Sequence, residues 1–152
     1  MNAYTSDKQF SRLLYTSALD IECCDEKPAE TVRRIAEGAA EQNRLSDLTG
    51  SLLFVNGVFI QILEGPQDEV EKAFERICCD FRHVDVRLID LINVSERLFE
   101  GWDMAFLSDD EMSSLALGDE LQEIQFLAGV NASQATLQMR SLLDNHSAAS
   151  KA

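Results

Sequence analysis

Three polar side chains occupy positions where apolar ones would be expected, and together they could do chemistry on a bound ring. Gln61 sits within Val58-Phe59-Ile60-Gln61-Ile62-Leu63-Glu64-Gly65. Side chains alternate faces along a strand, so Phe59, Gln61 and Leu63 share one side and Val58, Ile60 and Ile62 the other. Both sides read as buried. A carboxamide there carries two donors and an acceptor oxygen, and leaving one unpaired costs about 1–3 kcal/mol. Tyr15 stands at the end of a short strand, Arg12 to Ser17, on the same face as Leu13. Asn43 closes a helical stripe made by Val32, Ile35, Ala36 and Ala39. Taken singly, each has an ordinary role: a half-buried aromatic for Tyr15, a helix C-terminal residue for Asn43. A phenol and two carboxamides on one apolar face would instead make a pocket with a few placed polar groups. A planar heterocycle with alternating donors and acceptors along one edge would satisfy them. Tyrosine can give both an electron and a proton, so redox or photochemistry on the ring is the matching chemistry. A Gly-rich phosphate loop, a Ser–His or Cys–His pair and a carboxylate dyad are all missing from these motifs. Hydrolytic chemistry is therefore poorly supported, and a role other than that of an enzyme is expected.

The elements that must position these residues follow from periodicity. Pro28 can open a helix, since the first turn does not need its N–H. Leu48 to Val55 is a buried strand, Asn56-Gly57 is a strong hairpin signal, and Val58 to Leu63 is the return strand. Gly65-Pro66 starts a second helix with Val70, Ala73, Phe74, Ile77 and Cys78 as its core stripe. Arg82 and His83 follow it. Val84 to about Val94 alternates as a strand, and Trp102 to Leu107 is a fifth, with Trp102 and Met104 on one face. The order strand, helix, strand, strand, helix, strand, strand predicts an α+β, ferredoxin-like βαββαββ sandwich: a five-stranded mixed sheet with both helices on one face. The first strand and the return strand are then central neighbours, which puts Tyr15 within reach of Gln61. Residues 1–107 form this domain. Residues 108–152 form a helical C-terminal extension, opened by a Ser108–Glu111 capping box. Its apolar positions, among them Leu115, Leu121, Ile124, Phe126, Leu127, Leu137, Met139, Leu142 and Leu143, are too few for a separate core. They predict packing on the free sheet face or on another chain.

Composition narrows the partners. The chain has 152 residues, enough for one well-buried core, and 27 acidic against 13 basic residues, a formal charge of −14. That charge and the scatter of the basic residues argue against a nucleic-acid surface. No apolar run approaches the roughly 20 residues that span a bilayer, and the polar N-terminus is no signal peptide. A cytoplasmic location without membrane attachment is expected. Cys23-Cys24 and Cys78-Cys79 have neither zinc-ligand nor disulfide-framework spacing, so no metal is expected.

At this point the motifs resemble a known family. Leu14-Tyr15-Thr16-Ser17, Asn43, Leu48-Thr49-Gly50, Phe59 to Gly65, Asp80-Phe81-Arg82-His83, Arg97-Leu98-Phe99 and Gly101-Trp102-Asp103-Met104 occur in the order of the BLUF domains, flavin-binding blue-light sensors. The match covers about residues 11–107. The resemblance implies a noncovalent flavin, usually FAD, with FMN or riboflavin as alternatives. It implies that Tyr15 is the photochemical donor and that Gln61 bridges it to the flavin. Asn43 would bond the ring's polar edge, Arg82 and His83 would lie near its C2 carbonyl end, and Ile35 and Ile77 would pack against it. Trp102 and Met104 would relay the signal. The loop from Asp20 to Lys27 is longer and more acidic than the pattern, and Gln42 stands where some relatives carry His.

The mechanism implied is transfer of an electron and a proton from Tyr15 by way of Gln61, after which Gln61 is left rotated or tautomerised. No cyclase, diesterase or DNA-binding module follows, as in the short stand-alone form of the family. Output would then pass to a separate protein or through a change in oligomeric state, with a homo-oligomer expected. Two other readings stay open: a flavin-free ferredoxin-like interaction module, and a small ferredoxin-like enzyme acting on a small molecule.

Overall fold

A computed structural model describes residues 9–23, 26–108 and 115–146. Five strands, β1 (Phe10–Leu19), β2 (Thr49–Val55), β3 (Val58–Pro66), β4 (His83–Val94) and β5 (Ala105–Ser108), form one sheet in the order β4-β1-β3-β2-β5. β5 runs parallel to β2 and the other neighbours are antiparallel. Helices α1 (Pro28–Ser46) and α2 (Gln67–Cys78) connect β1 to β2 and β3 to β4, and α3 (Leu115–Val130) and α4 (Ala132–His146) follow the sheet. This is the ferredoxin-like arrangement that the element order predicts. The β2–β3 hairpin turns at Asn56 and Gly57, both with positive φ (54° and 77°). Such a two-residue turn matches the twist of the strands it joins, and it fixes the register with Val55 opposite Val58.

That register decides the two faces. Leu13, Tyr15, Phe59 and Leu63 are buried on one side beneath α1 and α2, against Val32, Ile35, Ala36, Val70 and Ala73. Leu14, Leu53, Ile60 and Ile62 are buried on the other, against Leu121, Ile124, Ala128, Ala135, Met139, Leu142 and Leu143 of α3 and α4. The C-terminal helices therefore cover the free sheet face, one of the two destinations expected for them. Each aliphatic side chain fully buried there contributes about 1.5–3 kcal/mol. Phe126 and Leu137 do not join this core; they are 66% and 53% exposed. The capping box at Ser108 rests on Glu111, which lies outside the described residues. No described helix is long and apolar enough to cross a membrane.

Four local expectations change. Tyr15 is central in β1, which extends to Leu19. α1 continues one turn past Asn43, and Asp47 ends it in the left-handed conformation (φ 59°), its N–H on the Asn43 carbonyl. Cys78 is exposed and no part of the core stripe, because the second helix buries only Val70 and Ala73 fully. The last strand begins at Ala105, so Trp102 and Met104 precede it. Gly101 has φ 95° and the Trp102 N–H turns back to the Phe99 carbonyl. Strand alternation does not apply across that turn, and the two side chains go to opposite sides of the sheet. Trp102 joins the core under α3 and α4, whereas Met104 packs on the side of α1 and α2.

Two glycines allow the close approaches that build the site. A methyl group on Gly50 would run into the Ile62 carbonyl, and the Gly50 N–H reaches the Trp102 carbonyl at 3.3 Å. Gly65 has φ 153°, and a Cβ there would meet the Asp47 carbonyl at 2.8 Å.

Candidate functional site

The antiparallel register of β1 and β3 sets Tyr15 directly opposite Gln61. Both point to the side of α1 and α2, and both are buried, Tyr15 completely and Gln61 to 3% exposure. The Tyr15 hydroxyl donates to Gln61 Oε1, which answers the demand that a buried carboxamide makes for a partner. Gln61 Nε2 points at Met104 Sδ, 3.8 Å away. Sulfur is a weak acceptor, so this side of the amide is held far more loosely than the phenol side. Burial pushes the Tyr15 phenol well above its ordinary pKa, and the charges of Asp80 and Cys78 add to it. The phenol is therefore a hydrogen-bond donor at neutral pH.

A cavity of about 300 Å³ opens above this pair, between the two helices. Gln61 and Leu63 line its floor, Ile35 and Ile77 face it from α1 and α2, and Asn43, Asp80, Arg82 and His83 supply polar groups. Of the expected binding residues, Ile35, Asn43, Gln61, Ile77, Arg82 and His83 all line it, and Tyr15 lies behind Gln61. Asn43 donates through Nδ2 to the Asp103 carbonyl at 2.7 Å, so the cavity wall is tied to the lead-in of β5. Arg82 chelates Asp80 through Nε and Nη2 at 2.9 and 2.7 Å, and it is partly exposed. Burial alone would raise the Asp80 carboxyl, but its hydrogen bonds to Arg82 outweigh that and hold it below its usual range.

His83 opens β4 and is 8% exposed. Its Nδ1 lies 2.7 Å from Ser17 Oγ, and its ring packs on Phe59 with centroids 4.8 Å apart. Burial lowers its pKa, Asp80 opposes, and Arg82 lowers it further. Ser17 stands in the Leu14-Tyr15-Thr16-Ser17 motif, which assigned it no role at the site. It follows Tyr15 by two residues and so shares its face, which is the signal that could have found it. Gln42, already marked by its place beside Asn43, also lines the cavity, as does Arg76, which has no comparable signal.

Trp102 is not in this cavity. It is 3% exposed on the opposite side of the sheet, with the Arg140 guanidinium 4.6 Å from its ring centroid. On the same side as Trp102, in phase with Ile60 and Ile62, stands Glu64, fully buried. It accepts from Arg12 Nε at 3.1 Å, from Thr49 Oγ1 at 3.0 Å, and from the backbone N–H groups of Leu98 and Phe99 at 2.9 and 2.6 Å.

The cavity lies at the lower end of small-molecule pocket sizes, roughly 300–1,000 Å³. Its apolar helical walls and hydrogen-bonding floor fit the ring of a flavin. Fold and site together define an α+β domain with a helix-walled cavity over a buried phenol–carboxamide pair. Residues 10–105 match the model of the family described as BLUF, sensors of blue-light using FAD. The chain belongs to this family of flavin-binding blue-light sensors. It is 34% identical over 92 residues to photoactivated adenylate cyclase subunit beta of Euglena gracilis, covering 59% of this chain and 11% of that protein. It is 37% identical over 62 residues to the blue light- and temperature-regulated antirepressor BluF of Escherichia coli K12, covering 41% and 15%. The dark-state structure of BlrB, a BLUF protein, superposes with a TM-score of 0.73 at 26% identity over 90% of this chain and 98% of the other. A bacterial light-regulated adenylyl cyclase gives 0.68 at 26% identity, over 82% and 35%. The chain thus spans only a small part of the curated relatives it matches.

Proposed function

We propose that residues 1–107 bind FAD in the cavity between α1 and α2 and that Tyr15 and Gln61 are the photochemical pair. The buried Tyr15–Gln61 hydrogen bond carries this reading. Ile35 and Ile77 would hold the ring's faces, and Asn43, Arg82 and His83 its polar edge. When bound, the flavin supplies blue-light absorption and an electron acceptor. Tyr15 would be the electron donor, and its hydroxyl proton would move to Gln61 Oε1, the acceptor already in place. With electron and proton both returned to Tyr15 there would be no net reaction, and Gln61 would be left rotated or tautomerised. Little holds the amide on its far side, because among the described residues Nε2 meets only the Met104 sulfur. Moving one buried hydrogen bond is worth about 1 kcal/mol, enough to bias a two-state element and too little to invert one.

Met104 is the neighbour that senses Gln61. Signal would pass from it along the β5 lead-in to Trp102 and thence to residues 108–152. A cytoplasmic location and output to a separate protein are part of this proposal. Output through a change of oligomeric state is its second form.

The experiment is a dark-minus-light absorption spectrum of the purified protein. A flavin spectrum that shifts to longer wavelength under blue light and returns in darkness is the expected result. A colourless protein that takes up no added FAD would overturn it, and a yellow one without the shift would leave binding but not sensing.

A further inference from the structure

An imidazole facing a cavity can offer a donor or an acceptor, depending on which ring nitrogen holds the proton. For His83, the partner that decides this is Ser17. Leu19 pairs with His83, and Ser17 precedes Leu19 by two residues, so the serine side chain lies diagonal to the imidazole on the side of α1 and α2. Between Thr16 and Ala18 the register shifts. β1 advances from Thr16 to Ala18 while β4 passes from Arg87 to Val84, one residue more. A bulge of this kind bends its strand and re-aims a side chain, and Asp85 within it has φ 53°. Ser17 stands opposite the bulge. Its Oγ lies 2.7 Å from His83 Nδ1, and both side chains are buried.

The direction of this hydrogen bond follows from what else the hydroxyl could do. Among the described residues Ser17 Oγ has no acceptor besides Nδ1. If Nδ1 carried a proton and gave it to Oγ, the serine proton would be buried without a partner, the costlier arrangement. Ser17 therefore donates and Nδ1 accepts. Burial lowers the His83 pKa, Asp80 opposes this and Arg82 reinforces it, so the ring is uncharged at neutral pH. In an uncharged imidazole, a lone pair on Nδ1 puts the proton on Nε2. Nε2 has no partner among the described residues, and His83 lines the cavity beside Asp80 and Arg82. The Phe59 ring, packed on the imidazole, keeps it from swinging away.

We propose that Ser17 is a positioning residue: its hydroxyl fixes His83 as the Nε2–H tautomer, which presents the cavity with a donor that takes an acceptor atom on the polar edge of a bound ring. Ser17 does not line the cavity and acts through His83 alone. The ligand half of the proposal rests on the flavin reading, and the tautomer half does not.

The chain has two histidines, His83 and His146. Nuclear magnetic resonance of the full chain with ¹⁵N-labelled histidine therefore gives two imidazoles, told apart with His146→Gln. In flavin-free wild type at about pH 7.5, His83 is expected with Nδ1 bare and Nε2 protonated. Ser17→Ala should move population to the Nδ1–H form, and Ser17→Thr, which keeps the hydroxyl, should hold the wild-type form. Titration with FAD should give a dissociation constant raised about fivefold in Ser17→Ala and near wild type in Ser17→Thr. Circular dichroism checks that each variant folds. A wild-type His83 protonated on Nδ1, a folded Ser17→Ala with an unchanged tautomer, or a shifted tautomer with unchanged FAD affinity would each overturn the proposal. Wild type that shows the expected tautomer and takes up no FAD overturns the flavin reading, and the ligand half with it, while the Ser17–His83 bond stands.

Discussion

The carboxylate of Glu64 and the backbone N–H of Phe99 lie 2.6 Å apart, so the strand that carries Gln61 is fastened directly to the segment that leads into Trp102 and Met104. Arg12, Thr49 and the Leu98 N–H complete the ring of donors around the same buried group.

Glu64→Ala should therefore be among the most damaging single changes outside the apolar core. It takes the carboxylate from a half-buried Arg12, leaving it the Glu96 carbonyl, and leaves the buried backbone donors of Leu98 and Phe99 unpaired, a loss of about 3 kcal/mol or more. Urea denaturation measures it. A loss under 1 kcal/mol would mean that Arg97, which also bonds Thr49 Oγ1 and the Glu64 carbonyl, holds the segment alone.

Tyr15→Phe removes a donor and keeps the ring that packs on Phe74. The variant should still bind flavin and lose the reversible spectral shift, with Gln61 Oε1 left bare at a cost of about 1–3 kcal/mol. A full photocycle in this variant refutes the role given to Tyr15.

Met104 and Trp102 should separate cleanly. Met104→Leu removes the sulfur that faces Gln61 Nε2 at similar volume, so stability should change by less than about 1.5 kcal/mol while the dark-recovery rate changes. Trp102→Ala empties a buried site and should cost about 3–5 kcal/mol, with the initial red shift retained. Thermal melts and recovery traces on both variants check this, and the reverse pattern would place Trp102 beside the amide.

His83 gives a pH signature. Its folded pKa lies below the ordinary value of 6.5, chiefly through burial. Below that pH the unfolded chain takes a proton that the folded chain refuses, so stability falls as pH drops through 6.5 toward the folded value. Asp80 stays ionised in this window, since its own carboxyl is held low. Denaturation of wild type and His83→Asn between pH 7.5 and about 5 should show the slope in the first and a flatter line in the second.

Sequence alone made the strands, the Asn56-Gly57 turn and the sharing of faces by Tyr15 and Gln61 legible, because these depend on two-residue alternation and turn chemistry. The helix end near Asn43 was misplaced because its left-handed cap is Asp47, a residue that carries such φ values less often than Gly or Asn. The sides taken by Trp102 and Met104 were not legible. The turn at Gly101 resets the pleat, and nothing in the spacing reports by how much. Glu64 was unreadable for another reason: its donors come from Arg12, Thr49 and residues 98 and 99, which only the assembled sheet brings together.

The Asn43 side chain reaches from the cavity wall to the Asp103 carbonyl at 2.7 Å. Occupancy of the cavity and placement of the following strand are then two readings of one equilibrium. By reciprocity, whatever displaces Asp103 must change the affinity for a ring held by Asn43 by the same factor that the ring changes the preference of Asp103. Flavin affinity, compared between darkness and light, would measure the free energy that this connection can deliver, in a solution containing the sensor alone.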